Sequence, residues 1–332
     1  MYKFKTKPFD HQRDVYEKSK DLKEYAFFME MGTGKSKVAI DTMGYLYLNE
    51  EINSALIIAP KGVFDNWVKE EIPNHLSYQV PRVVVRWQPN ITKKFEEELS
   101  VLVNPLKSQL KIFVMNVEAF STPNGAKVAE RFLSYNKHNI VIVDESTTIK
   151  NRKAQRTKNI LYLNRFAKYK RILTGSPITK SPMDLFSQCM FLGRDKLGFN
   201  SYFAFQGRHA TIQTRIMGHR SFQEITGYRR LDELTEKLKL FSSRILKEEC
   251  LTLPDKVYVR RNISLSEEQK RLYSQMKKFA LAQLANGELA TTQSVLTQIM
   301  RLQQICCGFF QPDEGSIEPI PNNRLDNLMD VT

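Results

Sequence analysis

The amino-acid sequence predicts an α/β fold organised on a parallel sheet, and three observations predict it. Short continuous apolar runs at 25–29, 55–59 and 140–143 read as strands covered on both faces. Helical periodicity fills the stretches between them, so strands and helices alternate. The run Met29-Glu30-Met31-Gly32-Thr33-Gly34-Lys35-Ser36 joins the first strand to the helix after it, as a phosphate-binding loop does. Its glycines let the backbone approach a phosphate, Lys35 brings a charge, and Ser36 offers a hydroxyl to Mg²⁺. The following helix aims free N–H groups and a positive dipole end at the same place. The broad form of the pattern has glycine where Met29 stands.

The first element is a helix expected from His11 to Lys20, with Asp10 as its N-cap. Gln12 lies in its first turn; its amide suits an adenine edge, or is a solvated helix-start side chain. Strand 25–29 delivers the loop, and the next helix runs on through Leu48. Strand 55–60 leads to Lys61-Gly62, then to helical spacing from Val63 to Glu71 that carries Trp67. Ligands of open α/β sheets bind off the carboxyl ends of strands, which places Lys61 to meet a ligand or a phosphate backbone. The alternative is a solvated loop lysine. Trp67 is either a core residue or a contact residue.

A β-rich stretch at 80–87, an amphipathic helix at 92–103 and a strand at 111–116 follow. Pro123-Asn124-Gly125 reads as a turn before a helix at 126–135. The strand 139–145 ends in Asp144-Glu145. Asp144 can hold Mg²⁺ opposite Ser36, and Glu145 can orient or deprotonate a water. An acid pair capping the next helix is the alternative, although two carboxylates at a buried strand end are costly without a cation. Strand 171–173 leads into Thr174-Gly175-Ser176-Pro177. Its hydroxyls can bond the acid strand or the phosphate site, or simply form a turn.

With 332 residues, 42% of them hydrophobic, the chain can bury one large or two ordinary cores. A formal net charge of +14 favours a polyanionic partner, nucleic acid first. Cys189, Cys250, Cys306 and Cys307 show no metal-ligand spacing, which suits a reducing compartment, cytoplasmic or, in a eukaryote, nuclear. No apolar run approaches the ~18–20 residues of a membrane helix, and the first residues lack an apolar signal core.

Together these blocks resemble helicase superfamily two, and within it the Swi/Snf-like ATP-dependent DNA translocases. Gln12 resembles the adenine-reading motif, and 31–36 is similar to motif I. Ala59-Pro60-Lys61 with Asn66-Trp67 resembles motif Ia, which in the family contacts DNA. Asp144-Glu145 with Ile149-Lys150-Asn151 is similar to motif II, and Leu173 to Ile178 with Asp184-Leu185-Phe186 to motif III. Leu253-Pro254-Asp255-Lys256, Leu265 to Gln269 and Leu302 to Cys306 resemble segments flanking the family's second lobe. Ser146-Thr147 stands where the family has a small residue and His, so Thr147 takes a coupling position with an altered side chain.

The resemblance implies a RecA-like P-loop NTPase lobe over 1–192, a helical insertion over 193–255, and a connector over 256–332 leading towards a second RecA-like lobe. It implies ATP and Mg²⁺ as cofactors, and nucleic acid, above all double-stranded DNA, as partner. Expected roles are Met31, Gly32, Thr33, Gly34, Lys35 and Ser36 around the phosphates, Ser36 and Asp144 on Mg²⁺, and Glu145 on water. Thr147, Thr174, Gly175 and Ser176 would couple nucleotide to DNA, with Lys61, Trp67, Arg229 and Arg230 on the DNA. The family's later arginines would lie on the second lobe, so this chain alone is expected to turn over ATP slowly unless Arg171 or Arg244 substitutes. A P-loop phosphotransferase and a non-catalytic nucleic-acid-binding module are the rival readings.

Overall fold

The computed structural model describes residues 2–104, 108–217, 220–250, 259–285, 292–312 and 316–330. It divides into two units, Met1–Leu253 and Pro254–Thr332.

The first unit is built on a seven-stranded sheet whose recorded pairings are all parallel. Its strands are β1 (Glu24–Met29), β2 (Ser54–Ala59), β3 (Arg82–Arg86), β4 (Leu110–Asn116), β5 (Asn139–Asp144), β6 (Tyr169–Leu173) and, after a hairpin, β9 (Ser242–Ile245). They lie in the order β3-β4-β2-β5-β6-β1-β9. Alternate residues of the inner strands enter opposite cores. Phe28, Leu56, Ile58, Phe113 and Val143 join one buried cluster, whereas Phe27, Ile57, Val114 and Ile142 join the other. Two-sided burial is why β1, β2 and β5 read as nearly unbroken apolar runs.

Helix α1 (Asp10–Ser19) and helix α2 (Lys35–Leu48) pack in one cluster, together with a helical run over 64–75 whose middle turn, Trp67–Glu71, is π-helical. Helices Lys93–Val103, Pro123–Tyr135, Gln155–Leu163 and Leu185–Leu192 cover the other face. All strands point the same way, so the segments leaving β1, β2, β5, β6 and β9 emerge at one edge.

Three local expectations change. Helix α1 starts at Asp10, with Phe9 rather than Asp10 in the capping position; the Phe9 side chain caps nothing, and the Phe9 N–H donates to Gln12 Oε1 at 3.1 Å. Pro123 is the first residue of a helix rather than part of a turn, because its fixed φ suits that position and Thr122 caps it. The segment 193–255 is not wholly helical. Helices Tyr202–His209 and Leu231–Lys239 flank an antiparallel hairpin, β7 (Ala210–Met217) with β8 (Arg220–Tyr228), and β9 then returns to the main sheet beside β1. Ile212, Thr214 and Ile216 alternate with polar residues at the period of a strand.

In the second unit, helix Glu267–Ala285 packs on helix Thr292–Cys307. Buried Gln269 donates from Nε2 to the Ile305 carbonyl at 2.8 Å, which ties the two together. The segments Leu265 to Gln269 and Leu302 to Cys306 fall here, while Leu253 to Lys256 lies outside the described residues.

Candidate nucleotide site and basic surface

The loop after β1 turns on Gly32 (φ +84°) and Gly34 (φ +87°), backbone conformations that L side chains rarely adopt. A methyl group on Gly34 would also collide with the Gln12 amide. Gln12 is 5% exposed. Its Nε2 donates to the Thr33 carbonyl at 3.1 Å, and His11 Nε2 meets the same carbonyl at 2.8 Å. Thr33 Oγ1 donates back to the Glu30 carbonyl at 2.7 Å. Helix α1 therefore holds the loop by two side chains. Gln12 was anticipated as a base-reading residue; the part of His11 was not, since a lone His in a first turn carries no signal.

Lys35 and Ser36 open helix α2, and Met31 stands exposed at the loop's tip. Lys35 Nζ lies 3.3 Å from Glu145 Oε1. Thr174 Oγ1 donates to Glu145 Oε2 at 3.2 Å and accepts the Ser176 N–H at 3.2 Å. Thus the loops after β1, β5 and β6 meet on one carboxylate. Glu145 has φ +44°, a left-handed conformation that costs a non-glycine residue about 1–3 kcal/mol and that surrounding contacts must hold. Gly175 lies against the loop as well: a methyl there would stand 3.3 Å from the Met31 nitrogen.

Asp144 is buried. It accepts Trp67 Nε1 at 2.9 Å on Oδ2 and the Glu145 N–H at 2.9 Å on Oδ1. Burial raises its pKa above the usual carboxylate range, against the pull of Trp67 and Lys35. Glu71, one π-turn on from Trp67, is raised by burial and by Asp144. Sequence reasoning missed Glu71, although its spacing from Trp67 was visible. No group of three His, Cys, Asp or Glu side chains among the described residues could hold a metal by itself. A divalent cation at Asp144 would therefore complete its shell with ligand oxygens, water or Ser36. That is how Mg²⁺ sits in phosphate sites, on one or two carboxylates plus phosphate.

Trp67 is 1% exposed, so its assignment to a DNA surface is corrected: the indole packs in the core and positions Asp144. Lys61, Arg229 and Arg230 are exposed, with Arg229 Nη2 donating to the Gly207 carbonyl at 2.5 Å. Lys61 follows β2, whereas Arg229 and Arg230 are consecutive in the link from β8 (Arg220–Tyr228) to helix Leu231–Lys239.

Thr147 sits in a short 3₁₀ turn, Ser146–Ile149, beside the acids. Its neighbour Ser146 donates to Gln188 Oε1 at 2.7 Å, and Gln188 Nε2 donates to the Pro177 and Asp184 carbonyls at 2.7 and 2.8 Å. Lys150 bonds Thr179 Oγ1, and Thr179 bonds Asp184. The segment after the acids is thereby tied to the segment after β6. Gln188 had no distinguishing context in an apolar helix.

Arg171 cannot reach this site. It is fully buried and donates to the carbonyls of Ser19, Leu22, Lys23 and Lys170, and burial pushes its pKa down to about 10. Arg244, on β9, donates to the Gly175 carbonyl at 2.8 Å and approaches that of Phe28 at 3.3 Å.

With the geometry in place, the likeness to known proteins is informative. The model of the SNF2-related domain matches residues 19–310. The chain is 28% identical over 280 residues to the DNA annealing helicase and endonuclease ZRANB3 of Bos taurus, covering 82% of this chain and 24% of that protein. It is 28% identical over 284 residues to the helicase-like transcription factor of Homo sapiens, covering 82% and 26%. It therefore spans about a quarter of the length of these curated relatives. Among solved structures, the Sulfolobus solfataricus SWI2/SNF2 ATPase core in complex with dsDNA matches with a TM-score of 0.56 at 21% identity, over 92% of this chain and 59% of that one. That likeness bears on the fold, a RecA-like one.

Proposed function

The chain belongs to the SNF2-related family, and from that premise we propose that it forms the ATP-binding lobe of a motor that tracks on duplex DNA. The observation that carries the reading is the meeting of Lys35, Glu145 and Thr174 on one carboxylate, with buried Asp144 beside it. Lys35 would leave Glu145 for the β- and γ-phosphates, and the freed carboxylate would accept the proton of the attacking water. Asp144 and Ser36 would hold Mg²⁺, whose charge, when bound, offsets that developing on the phosphates. Gln12 keeps one N–H and one lone pair beyond its present bonds, enough for an adenine edge. Thr174 and the Ser146–Gln188–Pro177 chain would carry the nucleotide's state into the segment after β6, with Thr147, Gly175 and Ser176 lying along that path.

Arginine for the transition state would come from a second RecA-like lobe, because Arg171 is spent on four carbonyls and Arg244 on the backbone of Gly175 and Phe28. A reducing compartment, cytoplasm or nucleus, suits the free cysteines. No helix among the described residues is long and apolar enough to cross a membrane.

Duplex binding is tested by its salt dependence. Phosphate tracking gives a log–log slope of about −0.9 per phosphate neutralised. Reversal of Lys61, Arg229 and Arg230 to Glu should lower affinity for all sequences alike. Salt-insensitive or strongly sequence-selective binding would overturn the reading.

A further inference from the structure

We propose that Lys247 is a second phosphate-binding lysine, set across the nucleotide loop from Lys35. The inference rests on the reading of that loop as an ATP site. Strand β1 lies between β6 and β9, both parallel to it, so the loop after β1 has a neighbour on each side. The β6 side brings Thr174 and Gly175. The β9 side brings Lys247, two residues past the strand's end.

Lys247 is fastened to the loop. Its backbone N–H donates to Glu30 Oε2 at 2.7 Å, and Glu30 is the first residue after β1. Its side chain then crosses Gly32: a methyl on Gly32 would lie 3.5 Å from Lys247 Cε and 3.7 Å from its Nζ. Glycine at 32 thus serves the φ of +84°, and the lysine side chain runs within ordinary contact distance of it. The ammonium forms no salt bridge among the described residues, whereas Lys35 has Glu145. The same loop leads into Lys35 and the first turn of the 14-residue helix α2, whose free N–H groups carry a partial positive charge. An ammonium without a carboxylate partner among the described residues and a helix N-terminus on one glycine loop both favour an anion there. A triphosphate is the ligand that the loop's shape and charge suit.

The test is calorimetric titration of Mg-ATP and Mg-ADP into the wild type and into Lys247→Ala, Lys247→Arg and Lys35→Ala, with thermal unfolding of each ligand-free protein alongside. A charge-assisted hydrogen bond to phosphate is worth about 10-fold to 100-fold in affinity. Lys247→Ala should weaken Mg-ATP by about that much, Lys247→Arg should recover most of it, and the ligand-free unfolding midpoints should agree. If Lys247→Ala binds like the wild type while Lys35→Ala does not, the ATP reading stands and the role of Lys247 falls. It falls too if Lys247→Ala lowers the ligand-free midpoint and Lys247→Arg fails to restore affinity, for the residue is then only structural. A wild type that binds no nucleotide overturns both.

Discussion

Trp67 Nε1 donates to Asp144 Oδ2 at 2.9 Å, joining residues 77 apart in sequence inside the core. The indole holds the carboxylate that the site needs and offers nothing to solvent. Trp67→Phe removes one partner from a buried acid, and stability should fall by about 1–3 kcal/mol in urea unfolding. Duplex affinity should not change. A loss of duplex affinity at unchanged stability would return Trp67 to the DNA surface.

Gln12 supports the loop and faces it, so two effects separate on its removal. Gln12→Ala loses the bonds to Phe9 and Thr33, costing about 1–2 kcal/mol of stability, while His11 keeps its hold on Thr33. If the amide also meets adenine, the variant's preference for ATP over GTP narrows. An unchanged ATP-to-GTP affinity ratio confines Gln12 to loop support.

His209 is buried between Phe199 and Phe205, with ring centroids at 5.6 and 5.0 Å, and burial lowers its pKa. The Arg229 backbone and the side chains of Glu233 and Lys237 modulate that shift without reversing it. A depressed folded-state pKa means that the unfolded chain binds more protons. The contribution is therefore complete above the ordinary histidine range, about pH 6.5, and is lost as pH falls through the lower folded value. Wild-type unfolding midpoints should drop between pH 7 and pH 5, and those of His209→Phe should drop less. Equal drops would place the acid sensitivity elsewhere.

Much of this was legible from residues alone. Strands β1, β2 and β5 announced themselves because burial on both faces demands unbroken apolar runs, and the glycine loop and the strand-end acids have few other uses in that order. Strand β9 was hidden because Ser242-Ser243-Arg244-Ile245 carries no such run; its place beside β1 comes from tertiary pairing. The hairpin lies in a span expected to be helical from the family resemblance, and its own local signal is only the alternation of Ile212, Thr214 and Ile216 with longer polar side chains. Trp67, His11 and Gln188 take their roles from partners 77, 22 and 42 residues away, which no local spacing encodes.

The central claim is that Glu145, held by Lys35 and Thr174, becomes the base that activates water. The most direct measurement follows Mg-ATP affinity and Mg-ATP turnover on one Glu145→Gln protein, with duplex DNA present. The account predicts affinity close to the wild type and turnover lower by roughly 10²–10⁴-fold, the usual worth of a general base. Turnover at the wild-type rate would contradict it.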